Sequence, residues 1–112
     1  MSDVKKITKN DSKVWLEGEE LIRLFYKSKE LMFGTSFMNP NTKGDVDPGH
    51  TGWEVFYVAK GYLMVHLPET DEYFEINEGE SLLMPPRVSH MFYNPSDMAS
   101  LIVWAAHKPD LE

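Results

Sequence analysis

The residues from Trp53 to Leu67 read WEVFYVAKGYLMVHL, and this stretch decides the class of fold. Branched and aromatic side chains are enriched in β-strands, because they fit a pleated and half-buried surface. Two runs of such residues flank Lys60-Gly61, a pair that suits the tight turn of a hairpin. The stretch therefore predicts two adjacent antiparallel strands, over Trp53 to Val58 and Tyr62 to Leu67.

Further strand signals recur at intervals of about ten residues along the chain. Alternation of side chains predicts a strand over Leu31 to Met38, whereas Val14 to Phe25 fits either a strand or a short helix. The segment from Asn39 to Gly49 is rich in Asn, Asp, Gly and Pro and is predicted to be a loop. Later strands are expected at Glu72 to Ile76, Ser81 to Met84, Ser89 to Asn94 and Leu101 to Ala106. This spacing predicts an all-β fold, either an antiparallel sandwich or a small barrel.

Length and composition restrict the possible functions. A chain of 112 residues fits one domain, with a polar segment over residues 1–13 and the β domain over residues 14–112. The net charge of −7 repels phosphate backbones, so nucleic acid is not an expected partner. The cluster Glu17, Glu19 and Glu20 is expected to face solvent.

The sequence also bears on the compartment. No run approaches the roughly 20 apolar residues of a membrane span, and the N-terminus lacks a signal-peptide pattern. The chain has no Cys, which excludes disulfides and thiolate metal sites. We therefore expect a cytoplasmic protein that does not act on membranes.

Two of the predicted strands, Trp53 to Val58 and Leu101 to Trp104, are apolar almost throughout. A sheet with one face in water alternates polar and apolar residues, so continuous apolar runs predict that both faces are covered. In a chain this small, a second copy is the simplest second cover. We therefore expect a homodimer built on the outer face of one sheet.

Histidine and glutamate residues stand among glycines and prolines in two spaced patterns. The first is Gly44-x5-His50-x3-Glu54-x6-Gly61, and the second is Gly79-x5-Pro85-x4-His90-x3-Asn94. These patterns resemble the two signature motifs of the cupin superfamily, and the resemblance spans about Leu31 to Ala106. The chain is similar to small single-domain cupins with one conserved barrel of the cupin 2 type. The resemblance implies an antiparallel double-sheet β-barrel of the jelly-roll type.

The candidate metal ligands are His50, Glu54 and His90. On a straight strand His50 and Glu54 would be about 14 Å apart, so Thr51-Gly52 must turn the chain for both to reach one ion. Two imidazoles and one carboxylate suit Fe, Mn, Ni or Zn. The resemblance implies one further His ligand, but Pro48 or Gly52 stands at its position. A degraded site is therefore the alternative to a working metal site.

Four residues are candidates for contact with a substrate. Arg87 lies in the loop that leads to His90, where a guanidinium suits a carboxylate group. The other three, Met38, Phe92 and Trp104, are expected in the interior of the barrel around a narrow and mostly apolar pocket. No catalytic residue is singled out by the sequence.

These features leave three kinds of function open. The first is a metal-dependent enzyme that acts on a small molecule as an oxygenase, lyase or isomerase, since fold alone does not choose a reaction. The second is a non-catalytic cupin that binds a small molecule or serves as a dimerisation module. The third is a metal-free enzyme in which His50 or Glu54 is a general base.

Overall fold

Short β-strands make up most of residues 3–107, the part of the chain that this computed structural model describes. The strands are, in chain order, β1 Lys13–Glu17, β2 Glu20–Lys27, β3 Met32–Met38, β4 Thr42–Lys43, β5 Glu54–Lys60, β6 Tyr62–Leu67, β7 Glu72–Asn77, β8 Ser81–Met84, β9 Met91–Asn94 and β10 Ser100–Ala106. One 3-10 turn, Lys9–Asp11, precedes them. Within these described residues, no helix has the length and apolar character needed to cross a membrane.

The strands form two antiparallel sheets. The six-stranded sheet has the order β1-β2-β3-β10-β5-β8, and the four-stranded sheet has the order β4-β9-β6-β7. Buried side chains from both sheets form one hydrophobic core, which includes Phe56, Leu63, Val65 and Ile102. The predicted all-β double-sheet fold is confirmed.

The turn at Lys60-Gly61 does not form the predicted hairpin. Strand β5 pairs with β8 and β10, whereas β6 pairs with β7 and β9. Phe56 and Val58 of β5 and Leu63 and Val65 of β6 are buried in the shared core, so the two strands face each other from different sheets. Gly61 has a φ of 89°, and a methyl group there would lie 2.6 Å from the carbonyl oxygen of Ala99. The turn therefore carries the chain from one sheet to the other.

Two further elements differ from the sequence prediction. The segment from Val14 to Phe25 is neither one strand nor a helix, because Gly18 interrupts it with a φ of 61°. Strands β1 and β2 on either side of Gly18 pair as a hairpin. Within the predicted loop over Asn39 to Gly49, strand β4 pairs with the end of β9.

Side chains of β5 alternate between the core and the outer face of the six-stranded sheet. Phe56 and Val58 are buried, whereas Val55 is 38% exposed and Tyr57 is 45% exposed. Residues 3–107 therefore cover only the inner face of this strand. The homodimer that was expected to cover the outer face stays a prediction.

Candidate functional site

The residues His50, Glu54 and His90 meet in one cavity. Glu54 is the first residue of β5, and its side chain is only 7% exposed. His90 directly precedes β9 and is also buried. Its backbone N–H donates to the carbonyl of Asp47 at 2.9 Å, and the Asp47 N–H donates to the carbonyl of His90 at 2.8 Å. This bridge holds the loop that carries His50 beside the start of β9.

Short distances join the polar atoms of these three side chains. Glu54 Oε1 lies 3.3 Å from His50 Nε2 and 3.7 Å from His90 Nε2. The ring centroids of the two histidines are 6.4 Å apart. The structure therefore brings the three candidate ligands together, and their role in binding a metal stays a prediction.

The chain does turn between His50 and Glu54, but Gly52 serves the turn differently from the way the sequence suggests. Glycine in a tight turn commonly supplies a positive φ, yet Gly52 does not have one. A methyl group at Gly52 would instead collide with the carbonyl oxygen of His107. Glycine is required there because two backbone segments approach each other closely.

The carboxylate of Asp47 is a fourth polar group in the cluster, and the sequence analysis missed it. Asp47 Oδ2 lies 3.5 Å from His50 Nε2 and 3.8 Å from His90 Nε2. Asp47 Oδ1 accepts a hydrogen bond from the N–H of Gly49 at 2.8 Å, which fixes the orientation of the carboxylate. One sequence signal for Asp47 was available, because it is an acidic residue adjacent to Pro48, which stands at the position of the missing His ligand. An irregular loop can place a ligand one residue away from its usual position in a motif.

Hydrogen bonding determines which nitrogen of His90 faces the cluster. His90 Nδ1 lies 2.9 Å from the carbonyl oxygen of Val88, and this nitrogen must donate because a carbonyl only accepts. In the neutral ring, Nε2 is then an acceptor that faces the carboxylates of Glu54 and Asp47. Glu54 Oε1 is buried and accepts no hydrogen bond from the part of the chain that the structure describes. Buried acceptors that face one another require a proton or a metal ion between them.

The donor atoms fit a divalent transition metal in type and nearly in spacing. Adjacent ligands of an ion with bonds of about 2.1 Å lie about 3.0 to 3.4 Å apart. The four separations between an imidazole Nε2 and a carboxylate oxygen are 3.3 to 3.8 Å. Among residues 3–107, no group of three or more His, Cys, Asp or Glu side chains is already arranged to hold an ion. The four side chains therefore have suitable donor atoms but stand slightly farther apart than the ligands of a bound ion, and small side-chain rotations would complete the site.

The cluster lines a cavity of about 160 Å³. Phe92 and Trp104, two of the candidate substrate contacts, also line it. Met38 and Arg87 are not among the described residues that do so, because Met38 is fully buried in the core and Arg87 is exposed. Arg87 supports the site through its backbone, since its N–H donates to the carbonyl of His50 at 2.7 Å.

Glu20 lines the same cavity, although the sequence analysis expected it to face solvent. Its side chain lies on the inner face of β2, and the residue is 8% exposed. Ser36 Oγ donates to Glu20 Oε2 at 2.5 Å, and Trp104 Nε1 donates to Ser36 Oγ at 3.0 Å. Burial raises the pKa of Glu20 to about 7; the bond from Ser36 opposes this shift and nearby carboxylates add to it. Glu20 therefore exchanges a proton near neutral pH inside the cavity.

Fold and site together define a double-sheet β protein with a cluster of imidazoles and carboxylates inside it. Residues 35–105 match the family model described as the cupin domain, which spans more than half of the sequence. This chain belongs to the cupin family, as its two motifs predicted. A search of curated protein sequences gives no significant match.

Solved structures share the fold at low sequence identity. The polyketide cyclase RemF from Streptomyces resistomycificus has a TM-score of 0.73 and 19% identity, over 92% of this chain and 78% of that chain. The Cnp3 cupin domain from Schizosaccharomyces pombe has a TM-score of 0.72 and 15% identity, over 83% and 67% of the two chains. The Fe(II) form of HppE has a TM-score of 0.77 and 14% identity, over 95% of this chain and 62% of that chain. At these identities the likeness shows the fold alone.

Proposed function

We propose that this cupin is a metal-dependent enzyme that acts on a small molecule inside its cavity. The supporting observation is the buried carboxylate of Glu54, which faces two imidazole nitrogens. Its Oε1 accepts no hydrogen bond from residues 3–107 and lies within 3.7 Å of Nε2 of both His50 and His90. One divalent ion satisfies all of these groups together, whereas a single proton is shared by only two of them.

His50, Glu54, His90 and Asp47 are the residues that would hold the ion. Two imidazoles and two carboxylates suit Fe, Mn, Ni or Zn, and the fold shared with the Fe(II) form of HppE is compatible with such a site. When bound, the ion supplies Lewis-acid or redox chemistry to a small substrate. The bond from His90 Nδ1 to Val88 holds the opposite nitrogen toward the cluster, as an outer hydrogen bond does for a ligating histidine.

Aromatic side chains next to the cluster position the substrate and exclude water. The rings of Phe56 and Phe92 meet edge to face with centroids 4.7 Å apart, and the Phe56 centroid lies 5.2 Å from that of His90. Burial raises the pKa of Glu20 to about 7 in the metal-free protein, and this carboxyl group in the same cavity is the proposed proton donor. Oxygenase, lyase and isomerase reactions all stay open, because the cupin fold accommodates each of them.

Metal analysis tests this proposal directly. Protein is purified without chelator and its Fe, Mn, Ni and Zn content is measured by mass spectrometry, after which metal-free protein is titrated with Mn(II) by calorimetry. We expect about one ion per chain in the wild type and a loss of binding in His90→Ala, because an imidazole ligand is removed. His66→Ala is the matched control, since His66 is bonded to Asp71 and does not line the cavity. Equal metal binding by His90→Ala and wild type rejects the proposal.

A non-catalytic dimerisation module is the second candidate function. The observation that favours it is the outer face of β3, β5, β8 and β10, where Lys60 at the end of β5 is the one charged side chain. The uncharged residues of this face are Phe33, Thr35, Phe37, Val55, Tyr57, Ser81, Leu83, Leu101, Val103 and Ala105. A protein that dimerises but binds no metal would support this second candidate over the first. The cytoplasmic location expected from the sequence stays a prediction.

A further inference from the structure

The solvent-exposed edge of the cavity is both acidic and aromatic. Trp15, Glu17 and Asp45 line the cavity there, and all three are more exposed than Glu54 and His90. We infer that the ligand of this cavity carries a cationic group, an ammonium or a guanidinium, which these three side chains bind. The inference rests on the proposed function in one respect, namely that a small molecule enters the cavity.

The loop after β4 brings Asp45 close to Glu17. Gly18 follows Glu17 and forms an isolated backbone bridge with Gly44. A methyl group added at Gly18 would lie 3.0 Å from Asp45 Oδ1, so this carboxylate lies directly against the turn between β1 and β2. Two carboxylates from different parts of the chain therefore occupy the same edge of the cavity.

The indole ring of Trp15 completes this edge. Trp15 Nε1 donates a hydrogen bond to Glu17 Oε2 at 2.8 Å, which fixes the orientation of the ring. The residue remains 39% exposed while it lines the cavity. The face of an indole attracts cations through its quadrupole, and Trp does so more strongly than Tyr or Phe. A fixed indole beside two carboxylates is complementary to an organic cation.

The charges on the cavity wall favour a cation even when a divalent ion occupies the cluster. That ion would offset the charges of Asp47 and Glu54, which lie deeper in the cavity. The remaining charges are then the two negative charges of Glu17 and Asp45 and the positive charge of Lys27, which is the one lysine or arginine among the described residues that line the cavity. A carboxylate ligand would meet net repulsion at this edge.

Three small molecules of matched shape test the charge preference: butylammonium, butyrate and butanol. Their binding to the wild-type protein is measured by calorimetry and by thermal shift, and metal content is measured on the same samples. We expect butylammonium to bind about tenfold more tightly than butyrate, with butanol between them. We also expect added salt to weaken the binding of butylammonium, because the carboxylates at the edge are solvent-exposed.

Variants test whether the edge, rather than the rest of the cavity, binds butylammonium. Glu17→Gln and Asp45→Asn are each expected to lower butylammonium affinity several-fold, and Trp15→Leu to lower it by a similar factor. Glu19→Gln is the matched control, because Glu19 is exposed and does not line the cavity. Thermal melting of each variant shows that it folds, and the two single carboxylate variants provide independent tests.

The outcomes distinguish this inference from the proposed function. Butyrate binding as tightly as butylammonium overturns the inference, as does the absence of binding by all three compounds at millimolar concentration. Unchanged butylammonium affinity in both carboxylate variants overturns it as well. If the protein binds metal but does not prefer butylammonium, only this inference is rejected. If it prefers butylammonium but binds no metal, only the proposed metal site is rejected.

Discussion

At the scale of single residues, Glu20 connects the chemistry of the cavity with the stability of the fold. Its pKa is raised to about 7 in the folded protein, above the ordinary value of 4.5. A raised pKa stabilises the fold at low pH, and this contribution is lost as the pH rises through the folded-state value. The free energy of unfolding of the metal-free protein is therefore expected to fall between about pH 5 and pH 8, by up to about 3 kcal/mol from this residue.

The variant Glu20→Gln tests this expectation. The amide fills the same space and accepts the bond from Ser36 without ever carrying a charge, so the pH dependence due to Glu20 should disappear. Urea unfolding of wild type, Glu20→Gln and the exposed control Glu19→Gln is compared at pH 5 and pH 8. We expect Glu20→Gln to be more stable than wild type at pH 8. If the free energy of unfolding of Glu20→Gln falls between pH 5 and pH 8 as much as that of wild type, the pH dependence does not come from Glu20.

The sequence revealed some site residues and not others for physical reasons. His50, Glu54 and His90 could be found because their types and spacing are visible along the chain. Glu20 could not, because its burial depends on the register of β2 and on Gly44, where a methyl group would lie 2.5 Å from Glu20 Oε1. Asp47 was missed because its approach to the histidines depends on a backbone bridge with His90.

At the scale of elements, Asn94 joins the ends of two strands to the turn that precedes a third. Its side chain is fully buried. Asn94 Nδ2 donates to the carbonyl oxygens of Met38, Asn39 and Met98 at 3.2, 3.2 and 2.8 Å. Asn94 therefore ties the end of β9 to the end of β3 and to the turn before β10. The last residue of the second motif is structural in this protein.

The variant Asn94→Ala is expected to lower the free energy of unfolding by about 2 to 4 kcal/mol, because buried carbonyls lose their donor. Urea denaturation gives the difference, and Asn10→Ala in the exposed 3-10 turn serves as control. Metal binding by the folded fraction of Asn94→Ala should persist, since Asn94 does not line the cavity. A destabilisation no larger than that of Asn10→Ala would show that these bonds contribute little.

Most strands could be predicted from the sequence, but their partners could not. Alternation in Leu31 to Met38 and the apolar run from Trp53 to Val58 are local signals, and they correspond to β3 and β5. The assignment of β5 and β6 to different sheets depends on which faces the finished core buries. A turn sequence such as Lys60-Gly61 suits a hairpin and a crossing between sheets equally well.

At the scale of the whole molecule, one broad surface differs from the rest. The net charge is −7, yet the outer face of β3, β5, β8 and β10 carries no acidic side chain and one basic side chain, Lys60 at the end of β5. Phe33, Phe37, Tyr57 and Leu83 of this face are all between 38% and 61% exposed. Two like-charged copies repel each other over most of their surfaces and can approach most easily through a face that carries no acidic side chain. A two-fold arrangement of this face against itself is therefore the proposed homodimer.

The variant Tyr57→Glu places a charge on this face and is expected to dissociate the dimer, because a carboxylate is costly to bury without a partner. Sedimentation at micromolar concentration should give about twice the chain mass of 12.9 kDa for wild type and the single-chain mass for the variant. Tyr73→Glu on β7, in the other sheet, is the matched control and should remain dimeric. A wild-type mass of 12.9 kDa would contradict the assembly. Since Tyr57 does not line the cavity, metal binding by Tyr57→Glu should match that of wild type, which separates assembly from site chemistry.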